Sequence, residues 1–454
     1  MAHSNFENSC IRLSLQAQIP TNIMPLYLKS RSSRNIVARL ENYSFYIFCV
    51  STIFIAVFSV GAIHNWPQFV KRFSILISCI LPAGLLVISR LPAWFHEKQI
   101  PKEAIWVFSV FFLGLMSSLF CENQWATFKF IILFIVSGPL VFLSTFYFFE
   151  VKKNQEIFLW LTSIGILVLS LFGIYEYNFT YGIRLFSDNP LPAGAMLIIL
   201  SASPIILLRH KKLKASKIIL ILSLLFSVIV ILLLAKKGPF IGMILTVFFL
   251  CLFFDRKYFK YFLVFILMAG LILSYLIKSS PTSKDLIRYK SSIALRVENY
   301  IFGLYIFKNN PLWGIGTDAD LLKHLDKYAI KTSNQTKKSK YRKYVKWAKT
   351  FENIVVAFLV EMGGLFSVVY FGGLLYFILG YWKSRREHSI YDANTRIITS
   401  VLIGFAAISL TFDTLKFPNL NWLFHCLLGL MANQTISYSE DTILLNTQSP
   451  KNSQ

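Results

Sequence analysis

Acidic side chains are scarce in this sequence: 22 Asp and Glu stand against 46 Lys and Arg. Charge of either sign is thin too, at 15% of residues, while 55% are apolar. So little charge excludes an ordinary soluble domain, in which about 25% of residues are charged. Six cysteines are scattered (Cys10, Cys49, Cys79, Cys121, Cys251, Cys426), with no Cys-x-x-Cys and no Cys/His spacing. That argues against a disulfide framework and against a zinc site. Ionisable residues are sparse inside the apolar runs, Glu176 and Glu361 apart, which speaks against a transporter with charged groups at the bilayer midplane. The first stretch lacks the apolar core of a cleavable signal, carries Lys29, Arg31, Arg34 and Arg39, and reads as a cytoplasmic arm.

What the chain does have is apolar runs near bilayer length. They predict an all-α fold, a polytopic transmembrane helical bundle of about 12 spans with one long periplasmic loop containing short helices. The expected parts are an arm over 1–43, spans over 44–278, the long loop over 279–352, the last spans over 353–432 and a disordered cytoplasmic tail over 433–454. Among the expected single spans are 127–149, 193–208 and 353–382. The net charge of +24 would suggest nucleic acid in a soluble protein. Here it falls on short loops of one side, as the positive-inside rule requires, and meets anionic lipid, so no nucleic-acid partner is expected. The same rule places both termini in the cytoplasm and the long loop outside.

The long loop is itself strongly basic, with Lys337 to Lys349 its densest tract. A solvated loop touching anionic lipid is one reading, and an outer-face site for an anionic substrate, phosphate above all, is the other. The orientation brings several ionisable groups to one depth. They are Arg184 in an outer loop, Lys236 and Lys237 in a tight turn, Arg296 on an amphipathic run, Glu352 where the chain re-enters the membrane, and Asp413 with Lys416 in the last outer turn. Each has a plain alternative. The lysines could snorkel, Arg296 could touch lipid, and Glu352 could favour the dipole of the helix it precedes. As chemistry, the cations would hold a polyprenyl pyrophosphate, and Glu352 would take a proton from an attacking sugar hydroxyl. Glu361, deeper and before Gly363-Gly364, reads as a structural hydrogen-bonding group at a kink.

The order of these pieces resembles the bacterial O-antigen ligase and O-antigen polymerase superfamily over roughly residues 180–430. The matching residues are Arg184 with Asn189-Pro190, Lys236-Lys237-Gly238, Arg296, Pro311-Leu312-Trp313-Gly314-Ile315-Gly316, and Asn353 through Leu359-Val360-Glu361-Met362-Gly363. The resemblance implies a fold similar to the GT-C glycosyltransferases. It implies metal-independent, inverting glycosyl transfer at the periplasmic face, with no cofactor. The donor would be a glycan on undecaprenyl pyrophosphate, and the acceptor a glycolipid, either the lipid A core or a second lipid-linked repeat. Arginines would hold the pyrophosphate, and a histidine would activate the acceptor. Two departures stand out. Glu352 occupies the place of the family's histidine, and Lys237 that of an arginine in the basic turn. Lys237 keeps charge but loses the bidentate fork. Glu352 could serve as the base or mark a lost activity, and His324 and His425 are weaker substitutes. A ligase, a polymerase, a polysaccharide transporter and an inactive relative all remain open on sequence alone.

Overall fold

A computed structural model describes residues 40–52, 81–90, 100–180, 190–209, 214–234, 236–254, 283–329, 351–383 and 392–447, with a few isolated positions besides. No strand occurs among the described residues, and the chain is an all-α, polytopic helical protein. The helices are α1 (40–52), α2 (Leu81–Arg90), α3 (Lys102–Phe120), α4 (Gln124–Ser137), α5 (Pro139–Phe148) and α6 (Lys152–Thr180). They continue as α7 (Pro190–Leu200), α8 (Ala202–Arg209), α9 (Lys214–Leu233), α10 (Lys237–Phe254), α11 (Ser283–Asn309) and α12 (Leu321–Ala329). The last are α13 (Ile354–Glu361), α14 (Gly363–Lys383), α15 (Asp392–Ser409) and α16 (Pro418–Thr447), with a single 3₁₀ turn at Thr414–Lys416 between the final pair. The polar stretch after Asn433, expected to be disordered, is helical as far as Thr447.

Seven described segments are long and apolar enough to cross a membrane, against the dozen expected, and several of the expected runs lie outside the described residues. Helices are the natural solution here because a lipid interior offers the backbone no other partner. Three expected spans are broken. The run over 127–149 is interrupted at Gly138, the run over 193–208 at Ser201, and the run over 353–382 at Met362.

Each break needs partners for the carbonyls it frees. At Gly138 the buried Asn421 supplies them, its Nδ2 donating to Phe134 O at 2.9 Å and to Ser137 Oγ at 3.1 Å. A Cβ at Gly138 would collide with that amide, so only glycine admits it. Elsewhere helices meet through small residues, as in membrane bundles generally. The contact between α10 and α15 runs through Gly242 and Gly404, and a Cβ at Gly242 would stand 2.8 Å from Gly404 O. A Cβ at Gly404 would strike Thr246 Oγ1. Gly404→Ala is therefore expected to cost about 1–3 kcal/mol by overpacking, visible as a lower midpoint of thermal unfolding in detergent.

The apolar interior divides in two. The larger core runs through the bundle and includes Trp106, Phe134, Phe358, Tyr370 and Trp422. The smaller one is built by Phe302 and Ile306 of α11, Leu325 of α12, Ile315, Phe351 and the Val356, Ala357 and Val360 face of α13. Helix α13 belongs to both, because Ile354 and Phe358 point into the larger core. A short helix apolar on all sides is a buried one, and α13 is the plate between the two cores.

Candidate active site

Arg296 and Tyr300 lie one turn apart on α11, so they share a face. That face meets α13 closely at Gly303, where a Cβ would lie 2.5 Å from Val356 Cγ1. Beyond Phe351, which is fully buried, the chain must reverse into α13. Glu352 makes the reversal in a left-handed conformation, with φ of 50°, a strained state for a residue with a side chain. Asn353 then caps the helix, its Oδ1 accepting from Val355 N at 3.0 Å and Val356 N at 3.2 Å.

The turn aims the Glu352 carboxylate at α11. Arg296 Nε donates to Glu352 Oε2 at 3.0 Å. Both side chains keep access to solvent, at 32% and 19% relative exposure, so a ligand can reach them. Lys237 opens α10, is exposed, and feels the charge of Arg296. Lys236 precedes it and is also exposed. Arg184, the fourth expected cation, lies outside the described residues.

The turn between α15 and α16 closes the site from another side. Its Leu410 carbonyl accepts from Tyr300 Oη at 3.0 Å and from Asn353 Nδ2 at 3.1 Å. Burial pushes the Tyr300 phenol above its ordinary range against the opposing pull of Arg296, so Tyr300 stays a neutral donor. Farther along the turn, Lys416 Nζ donates to Glu361 Oε1 at 2.5 Å and lies 3.7 Å from Asp413 Oδ2. Burial disfavours the Lys416 ammonium, but Glu361 and Asp413 outweigh it and hold the group charged, above its ordinary range.

The Pro311–Gly316 element serves the backbone. It wraps the break between α13 and α14. Ile315 N donates to Val360 O at 2.8 Å, Gly316 N to Glu361 O at 2.9 Å, and Gly364 N to Pro311 O at 2.7 Å. On its other side Glu122 N donates to Ile315 O at 3.1 Å, and Ser117 Oγ to Trp313 O at 2.8 Å. Gly314, Gly316 and Gly363 all have positive φ in this clasp.

Neither histidine takes part. His324 is buried on α12 with Nε2 3.2 Å from Glu122 Oε1. His425 is fully buried on α16, with Nδ1 2.8 Å from Asn421 O and Nε2 3.4 Å from Tyr370 Oη. The sequence reading overlooked Tyr300, whose only local signal is its spacing of four from Arg296. Comparison with curated proteins gives no match. A family model described as O-antigen ligase matches residues 221–371, the stretch holding Lys237, Arg296, the glycine clasp and Glu352, and this supports the likeness to the O-antigen ligase and polymerase superfamily.

Proposed function

We propose that the chain transfers a glycan from undecaprenyl pyrophosphate to a sugar hydroxyl of an acceptor glycolipid, at the outer face of a bacterial inner membrane. The observation that carries this reading is the solvent-reachable pair of Arg296 and Glu352, with Lys237 beside it. Arg296, Lys236 and Lys237 hold the pyrophosphate, Arg296 through its planar fork and the lysines as point charges. Arg184 is assigned to the same role. The acceptor oxygen attacks the anomeric carbon from the side opposite the leaving group, and the configuration inverts. The bond from that carbon to the pyrophosphate oxygen breaks, and its electrons leave with the pyrophosphate. The cations stabilise this growing charge, and the acceptor proton passes to Glu352.

The resting ion pair supports an order of events. Glu352 Oε2 is engaged by Arg296 until a pyrophosphate, offering more charge and more acceptor oxygens, takes the guanidinium over. The carboxylate is then released to receive the acceptor proton. Donor binding therefore precedes productive acceptor binding.

The preferred acceptor is the lipid A core, which makes the chain a ligase. A second lipid-linked repeat in its place would make it a polymerase. Complementation of strains lacking each activity tests this, with glycan attachment read on a gel. Arg296→Ala is expected to lower transfer by about 10²–10³-fold. Normal glycan attachment by both Arg296→Ala and Glu352→Ala would discard the site.

A further inference from the structure

Helix α13 carries the proposed base just before its first turn and Glu361 in its last. The turn between α15 and α16 grips both ends. At the near end Leu410 O accepts from Asn353. At the far end Lys416 Nζ holds Glu361. One attachment is a pivot, and two fix the direction and axial rotation of the helix. We infer that Lys416 is a positioning residue, which sets the orientation of α13 through Glu361 and thereby holds Glu352 in register with Arg296. This rests on the glycosyl-transfer reading above.

Three observations give Lys416 this part. It is 18% exposed, so its charge is directed at protein groups and not at water. It reaches two carboxylates at once, Glu361 and Asp413, which are 8% and 4% exposed. Its partner Glu361 is also the residue whose carbonyl receives the glycine clasp at Gly316 N. Lys416 thus joins the last outer turn, the helix break and the clasp at one point. Register matters because the left-handed Glu352 has few alternative conformations with which to follow a displaced helix. A misplacement of about 1 Å can cost 10²-fold in rate.

The test uses the full chain in lipid nanodiscs, with an undecaprenyl-pyrophosphate-linked repeat as donor. Lys416→Met is expected to lower kcat by about 30–100-fold with no rise in the donor KM, since the pyrophosphate-holding cations are untouched and a displaced Glu352 competes less for Arg296. Lys416→Arg, which keeps the charge, is expected to recover most of that loss. Amide hydrogen exchange gives a readout independent of turnover, and faster exchange confined to 353–361 is expected in Lys416→Met. Should Lys416→Met fail to fold, Glu361→Gln, which keeps the shape and removes the charge, carries the same expectations. Unchanged exchange over 353–361 overturns the positioning, whatever reaction the chain performs. Faster exchange with unaltered kcat, or a loss that Arg does not recover, overturns its catalytic meaning. Absence of transfer by the unsubstituted chain with either acceptor overturns the functional reading itself.

Discussion

Glu352→Gln is expected to lower kcat by about 10²–10⁴-fold, the usual contribution of a general base, while the donor KM falls as well. The second half of that result comes from the ion pair. In the resting site Arg296 spends a donor on Glu352 Oε2 at 3.0 Å. Glutamine carries no charge to hold the guanidinium, so the pyrophosphate meets less competition for it. A variant that binds its donor better and turns it over more slowly has lost a group that acts in the transition state and restrained the ground state. A purely structural glutamate would worsen both constants together. An unaltered kcat would remove Glu352 from the base role, and a raised donor KM would remove the competition for Arg296. Initial-rate kinetics should also show donor adding before acceptor in the unsubstituted chain and a loss of that order in Glu352→Gln.

Gly363→Ala is expected to be among the most destabilising single changes in the chain. The residue has φ of 83°, and the left-handed state alone costs a side chain about 1–3 kcal/mol. The added Cβ would also run into the backbone of Leu312 and Trp313, which cannot rotate away as a side chain could. The clasp would have to open, freeing the Val360 and Glu361 carbonyls that Ile315 N and Gly316 N now satisfy. Buried unsatisfied carbonyls add about 1–3 kcal/mol each. The measurement is the yield of folded, monodisperse protein from membranes together with its thermal midpoint. Near-normal values for both would mean that the clasp is dispensable. The neighbouring Gly372, at which an added Cβ meets nothing within 4 Å, provides the control.

Much of the architecture was legible because membrane helices announce themselves locally. A run of apolar residues must satisfy its own backbone, so hydropathy alone finds it. The helix bearing Arg296 was also visible, from its apolar spacing, and it reaches from Ser283 to Asn309. The kink between Glu361 and Gly363 was marked by the paired glycines, whereas the break at Gly138 was harder to see. Asn421 lies 284 positions from Ser137, and a partner so distant leaves no mark on the run it interrupts. The approach of Lys237, Arg296 and Glu352 could be expected from their common depth. The pairing of Arg296 with Glu352 could not, because it depends on one left-handed residue where a glutamate conceals it. For the same reason Pro311–Gly316 read as a motif beside the chemistry, when its contacts are those of backbone amides with helix-end carbonyls.

The division of the interior into two cores has a consequence for how such a chain can change. The smaller core draws on α11, α12, the Phe351 approach and one side of α13, and none of the seven membrane-length segments contributes a residue to it. Substitutions at Phe302, Leu325 or Val356 can reshape the ground beneath the reacting groups for a bulkier or differently branched sugar. The membrane-length segments stay as they were, so under the proposed function new glycan preferences would arise without relearning how to sit in a bilayer.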